Sequence, residues 1–148
     1  MWRSILILCF LLTAPAHAVQ RPALVPGGWT QEFADQATKT RRFVSPDGTS
    51  FLATRQAVSR SSLNRDMDGI AFQTGEQITY QRRGSSWIAV SGYRGDQIFY
   101  RKSNLACGGR HWHHVELLYP RAQKRQMDQT VNHIARGMTK YADDCPKS

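Results

Sequence analysis

No hydrophobic run in this chain is long enough to cross a bilayer as a helix. The longest, Ile5 to Leu12, holds eight residues, against the roughly 20 that a membrane span needs. Acidic residues are scarce, 11 against 20 Lys and Arg, and cysteine occurs only three times. No C-x-x-C pair is present, which argues against a thioredoxin-like redox role. The G-x-S-x-G elbow of α/β-hydrolases is also missing. Gly108-Gly109 lacks the spacing and the lysine of a phosphate-binding P-loop. There is no internal repeat and no low-complexity tract.

The beginning of the chain is informative. Arg3, the apolar run and then Ala16-His17-Ala18 have the order of a secretory signal with an A-x-A cleavage site, predicting a mature protein that starts at Val19 and works in the periplasm or outside the cell. Leu8 precedes Cys9 where a lipobox requires a small residue, so no lipid anchor is expected. Removal of residues 1–18 leaves 130, enough for one domain with one core. Nineteen basic residues then face eleven acidic ones, a formal charge of +8. Such a charge favours acidic partners outside the cytosol: a lipid headgroup, lipopolysaccharide, peptidoglycan or an acidic protein, with nucleic acid set aside by compartment. A purely solubilising role for the charge is the alternative.

Cys107 and Cys145 remain after cleavage, an even pair entering an oxidising space, and they are expected to form a disulfide. Closing a loop of about 38 residues stabilises a domain by roughly 4 kcal/mol in the chain-entropy treatment.

The predicted architecture is a single α+β domain over residues 29–148, after an extended lead-in at 19–28 that contains two prolines and two glycines. Ser45-Pro46-Asp47-Gly48 marks a turn between two strand-like runs, predicting an N-terminal hairpin with Phe43 and Phe51 inward. Leu63, Met67 and Ile70 follow helical spacing, with Gly69 placed to end a short central helix. From Glu76 to Tyr119, four runs rich in β-branched and aromatic residues predict an antiparallel β-meander. Met127, Val131, Ile134, Met138 and Tyr141 recur at steps of four and three, the stripe of a long C-terminal amphipathic helix.

The segment Cys107 to His114, CGGRHWHH, holds the densest chemistry. On a strand, His111 and His113 share one face and Trp112 and His114 the other. His111 and His113 are therefore candidate metal ligands, with His133 or a carboxylate as a third; equally, with Val115, Leu117 and Tyr119 continuing their face, they cap an apolar layer. A histidine-assisted hydrolase would take His113 or His114 as its base and Ser91 as the nearest nucleophile. Asp66 with Asp68, and Asp143 with Asp144, read as solvated surface charges.

Arginines interleave with aromatics across the meander. Arg82, Arg83, Trp87, Arg94 and Arg101 form the candidate binding set, because planar guanidinium groups take carboxylates and phosphates through two hydrogen bonds and stack on rings. Basic residues on a sheet edge also serve to block strand addition, the competing account of the same pattern.

The order of hairpin, short helix, meander and closing helix, with a final strand, a Tyr119-Pro120 turn and a helix, resembles the PsbP/DcrB-like α/β/α sandwich over Arg42 to Tyr141. GEQITYQRRG, SWIAVSGYRGDQIFYRK and LACGGRHWH are similar to small uncharacterised exported proteins of Gram-negative bacteria. The resemblance implies an accessory or binding role and carries no catalytic residues. The expectation is thus a noncatalytic envelope-binding protein without a cofactor; a metal-dependent or histidine-assisted hydrolase using HWHH and a purely structural envelope protein are the alternatives.

Overall fold

The computed structural model describes residues 22–142 and residue 145, and for 139–142 the backbone alone. The expected signal peptide and its cleavage site, Cys9, the side chain of Tyr141, and the pair Asp143 and Asp144 lie outside the described residues. Seven strands and two helices follow in the order β1 (Thr30–Asp35), β2 (Thr40–Val44), β3 (Phe51–Val58), α1 (Leu63–Ala71), β4 (Gln77–Arg83), β5 (Trp87–Arg94), β6 (Gln97–Ala106), β7 (His111–Pro120) and α2 (Lys124–Ala142). The strands form one antiparallel sheet in the order β1-β2-β3-β7-β6-β5-β4. This is the α+β fold expected, with its meander, its N-terminal hairpin and both helices.

The β2–β3 turn forms where proline and glycine set its backbone angles. Gly48, with φ of 73°, donates its N–H to the Ser45 carbonyl. Asp47 clasps the turn by accepting from the Ser45 hydroxyl and from the amide and hydroxyl of Thr49. Those bonds, the Ser45 hydroxyl foremost, lower the Asp47 pKa to about 2. Phe43 is buried as expected, but Phe51 is not its partner. The register pairs Phe43 with Leu52 and Phe51 with Val44, so the pleat sends Phe51 to the opposite face, where the Arg42 guanidinium lies 4.3 Å above its ring.

A helix packs on each face. The stripe of α2 buries Met127, Ile134 and Met138 against Leu52, Val115, Leu117 and Tyr119, each full burial being worth roughly 1.5–3 kcal/mol. On the other face, Met67 and Ala71 of α1 pack on Ile88, Val90, Phe99 and Trp112. Among the described residues no helix is long and apolar enough to cross a membrane.

Three further expectations are corrected. Within the described part of the lead-in, Leu24 and Val25 join Trp29 in the core under α2, so order begins before Trp29. Gly137 permits this, because a Cβ there would lie 2.7 Å from the Cα of Leu24. Next, Gly69 does not end α1, since the helix continues to Ala71 and Phe72 takes an extended conformation. Finally, a strand unforeseen in the sequence, β1, forms one edge of the sheet beside β2. The sulfurs of Cys107 and Cys145 are bonded, with Cα atoms 5.6 Å apart, tying the β6–β7 turn to the chain beyond α2.

Candidate functional site

Facing residues of neighbouring antiparallel strands point to the same side of a sheet, so the register places the site. On the α1 face, Arg55 of β3, His114 of β7 and Ser103 of β6 form one row, and Ala53, Glu116, Arg101 and Val90 form the next. The nine-residue α1 lies over β5, β6 and β7 and leaves the β3 side of this face open. A cleft of about 680 Å³ results, with Arg65 and Gly69 along its helical wall, Gln73 just past the end of α1, and Ala53, Arg55 and Ala57 along its floor. Its size falls within the range of roughly 300–1,000 Å³ usual for small-molecule sites.

One end of the cleft is electrically closed. Arg101 is buried and donates to Glu76 at 2.7 Å, to Glu116 at 2.9 Å and to the Ile70 carbonyl at 3.0 Å. Arg94 donates to the same two carboxylates, at 2.5 and 3.1 Å, and to Gln73. Two cations and two anions therefore neutralise one another over the Phe99 ring. Burial works against the Arg94 charge, but Glu76 and Glu116 outweigh it and the pKa is raised.

The opposite end is positively charged. Arg55, Arg60 and Arg65 line it, and among the described residues none of the three has an ion-pair partner. Asp66 is the carboxylate beside them. It accepts from Ser61 through a short hydrogen bond, from the Trp112 indole at 2.9 Å and from Ser59 at 2.7 Å, and these bonds, Ser61 first, lower its pKa. His114 bonds Ser103 through Nδ1 at 2.8 Å and stacks beside Trp112. Burial first, then the positive charge of Arg55, brings its pKa down to about 3, so the ring is neutral at ordinary pH and only a weak base.

The five arginine and aromatic candidates do not share a face. Arg83, Arg94 and Arg101 lie on the α1 side, while Arg82 and Trp87 lie on the α2 side, as the alternation of β4, β5 and β6 dictates. Arg94 and Arg101 are occupied internally, and Arg83 pairs with Asp68 at 2.7 Å. Trp87 is half-buried under Lys102, whose ammonium donates to the Ala135 carbonyl of α2. Arg82 is exposed on the edge strand.

The histidines diverge as their alternation predicts. His113 is fully buried, with Nε2 3.8 Å from the Cys107 sulfur, and His111 is half-buried on the same side. His114 faces away from both, and His133 is exposed on α2. Among the described residues no three His, Cys, Asp or Glu side chains are grouped to hold a metal ion. Ser91 donates its hydroxyl to the Phe99 carbonyl at 2.7 Å, which commits the nearest nucleophile candidate to the sheet.

Arg55, Arg60, Arg65 and Gly69 are the residues that sequence reasoning missed, and Asp66, read as a solvated charge, belongs to the site. A signal for the floor was present: Ala53, Arg55 and Ala57 put small, basic and small residues on one face of β3, where a strand covered by a helix would carry bulk. No protein-family model matches the chain, and neither does a curated protein or a solved structure.

Proposed function

We propose that the protein is a noncatalytic binding protein of the bacterial envelope that holds an anionic component in the cleft beside α1. One observation carries this reading: Arg55, Arg60 and Arg65 line one cleft with Asp66 as the single carboxylate beside them and, among the described residues, with no ion-pair partner. A structural ion network would look like the Arg94, Arg101, Glu76 and Glu116 cluster a few residues away, where charges balance. Unbalanced guanidinium groups in a concavity focus potential on an incoming anion. The export signal expected at residues 1–18 and the mature charge of +8 support an acidic partner outside the cytosol, and the resemblance to an accessory fold group is consistent with binding rather than turnover. The recognition surface moves from the arginines of the meander to those of β3, the β3–α1 loop and the first turn of α1.

Retention of the mature protein on phosphatidylglycerol vesicles and on purified peptidoglycan, followed against salt, tests the reading. Binding should weaken with ionic strength as exposed charges are screened. Arg55→Ala with Arg65→Ala should lower it by about tenfold or more, a loss of at least 1.4 kcal/mol, whereas Arg82→Ala with Arg83→Ala should leave it nearly unchanged. The opposite ranking would return recognition to the meander edge, and retention indifferent to both pairs and to salt would leave the positive charge as solubilising only.

A further inference from the structure

The cleft contains a glycine that the fold does not require. Gly69 lies within α1 without a positive φ, and a Cβ built on it meets nothing within 4 Å. Glycine in a helix interior costs roughly 0.5–1 kcal/mol relative to alanine. Elsewhere that cost has a reason: Gly137 of α2 is pressed against Leu24. At Gly69 a Cβ would meet only the space of the cleft, which Arg65 lines one turn before it and Gln73 lines just past the end of the helix.

The charges around that space are unequal. At the Arg65 end three guanidinium groups face the single carboxylate of Asp66, an excess of two positive charges; at the Gln73 end the Arg94–Glu116 network is balanced. Past Gly69 the lining is neutral in sum, with Ala53 and Ile70 beside the balanced Arg94, Arg101 and Glu116. A ligand that matches this lining has a compact, doubly charged head and a neutral body. A carboxylate supplies one charge, whereas a phosphomonoester carries roughly −1.5 to −2 at neutral pH and has three strong acceptor oxygens. Planar guanidinium forks bind such oxygens two at a time.

We infer that the cleft is a phosphomonoester site, in which Arg55, Arg60 and Arg65 take the phosphoryl group and the uncovered backbone at Gly69 admits the neutral organic body. This deepens the anion-binding reading and rests on it.

Titration of the mature, disulfide-intact protein with phenyl phosphate, benzoate, phenol and inorganic phosphate, read by calorimetry and by the NMR signal of the Trp112 indole N–H, tests both levels. Phenyl phosphate should bind about tenfold or more tightly than benzoate, and phenol should not bind. Arg55→Ala with Arg65→Ala should weaken phenyl phosphate and inorganic phosphate alike. Gly69→Leu, whose side chain enters open space, should keep the fold yet weaken phenyl phosphate by about tenfold while changing inorganic phosphate by less than about twofold. Vesicles of phosphatidic acid present the same group on a lipid. Their retention through Arg55 and Arg65 in preference to phenyl phosphate would support the site with a membrane source, and the reverse preference would support it with a free one.

Equal binding of benzoate and phenyl phosphate would overturn the phosphomonoester inference and leave the anion-binding cleft standing. Equal losses for both phosphates in Gly69→Leu would overturn the role given to Gly69. If no anion moves the Trp112 signal or binds through Arg55 and Arg65, both this inference and the reading beneath it fail.

Discussion

The two faces of the sheet are built to opposite standards. One is covered by the nineteen-residue α2 together with the buried Leu24, Val25 and Trp29, and its core is apolar apart from such groups as Thr54 and His113. The other has nine residues of helix over a sheet of seven strands, an internal ion network and a cleft. The same pleat supplies both, since β3 sends Leu52 and Thr54 to the first face and Ala53, Arg55 and Ala57 to the second. Stability and binding are thereby separated onto opposite sides of the same strands. Residues can be altered for one with little effect on the other unless they lie in a shared row.

The contrast is broken most severely from the sealed side. Leu24→Ala leaves a void between α2 and the sheet, and about 2–5 kcal/mol of stability should be lost in urea unfolding, a large part of a domain's net stability. An equally damaging truncation of Arg60 or Arg65 would show that the open face is structural after all.

The pH response sharpens the comparison at the next level. The His114 pKa lies at about 3 in the folded protein, against about 6.5 for a free imidazole. A depressed histidine leaves the folded state holding fewer protons than the unfolded chain between those values. Its contribution to stability is therefore complete above pH 6.5 and is lost progressively as pH falls toward 3. Replacing the ring by His114→Gln should flatten the stability profile in that window. Arg55→Ala should raise the pH at which the ring titrates, as followed by its NMR signals, because the guanidinium charge is one cause of the depression.

The smallest effect is the most direct test of the two faces. Gly69→Ala should stabilise the protein by roughly 0.5–1 kcal/mol, the ordinary gain of alanine in a helix interior. Gly137→Ala, the same change on the sealed side, should destabilise it, because the new methyl group meets the Leu24 backbone. Equal signs in thermal unfolding would remove the distinction.

Sequence patterns revealed those parts of the molecule that local chemistry determines. The Ser45 to Gly48 turn, the stripe of α2 and the alternation of β7 each follow from neighbours or from simple periodicity, and the bond between Cys107 and Cys145 follows from the count of cysteines. The rest depends on long-range placement. The β3–β7 pairing joins the N-terminal strands to the meander, and only that pairing brings Arg55 beside His114. Leu24 reads as linker because its flanking prolines and glycines mask a single apolar anchor. Arg94 and Arg101 read as exposed binders because their neutralising partners, Glu76 and Glu116, lie on different strands or loops. For the same reason the cleft was invisible: it is a property of what α1 fails to cover.

The contact between Leu24 and Gly137 has a consequence for how the molecule comes into being. Leu24 precedes every strand and Gly137 belongs to the helix that follows them all. A growing polypeptide therefore holds one half of that joint early and waits for the other until all seven strands have been made. Until then the apolar side of the sheet has no helix to cover it, and closure falls to α2.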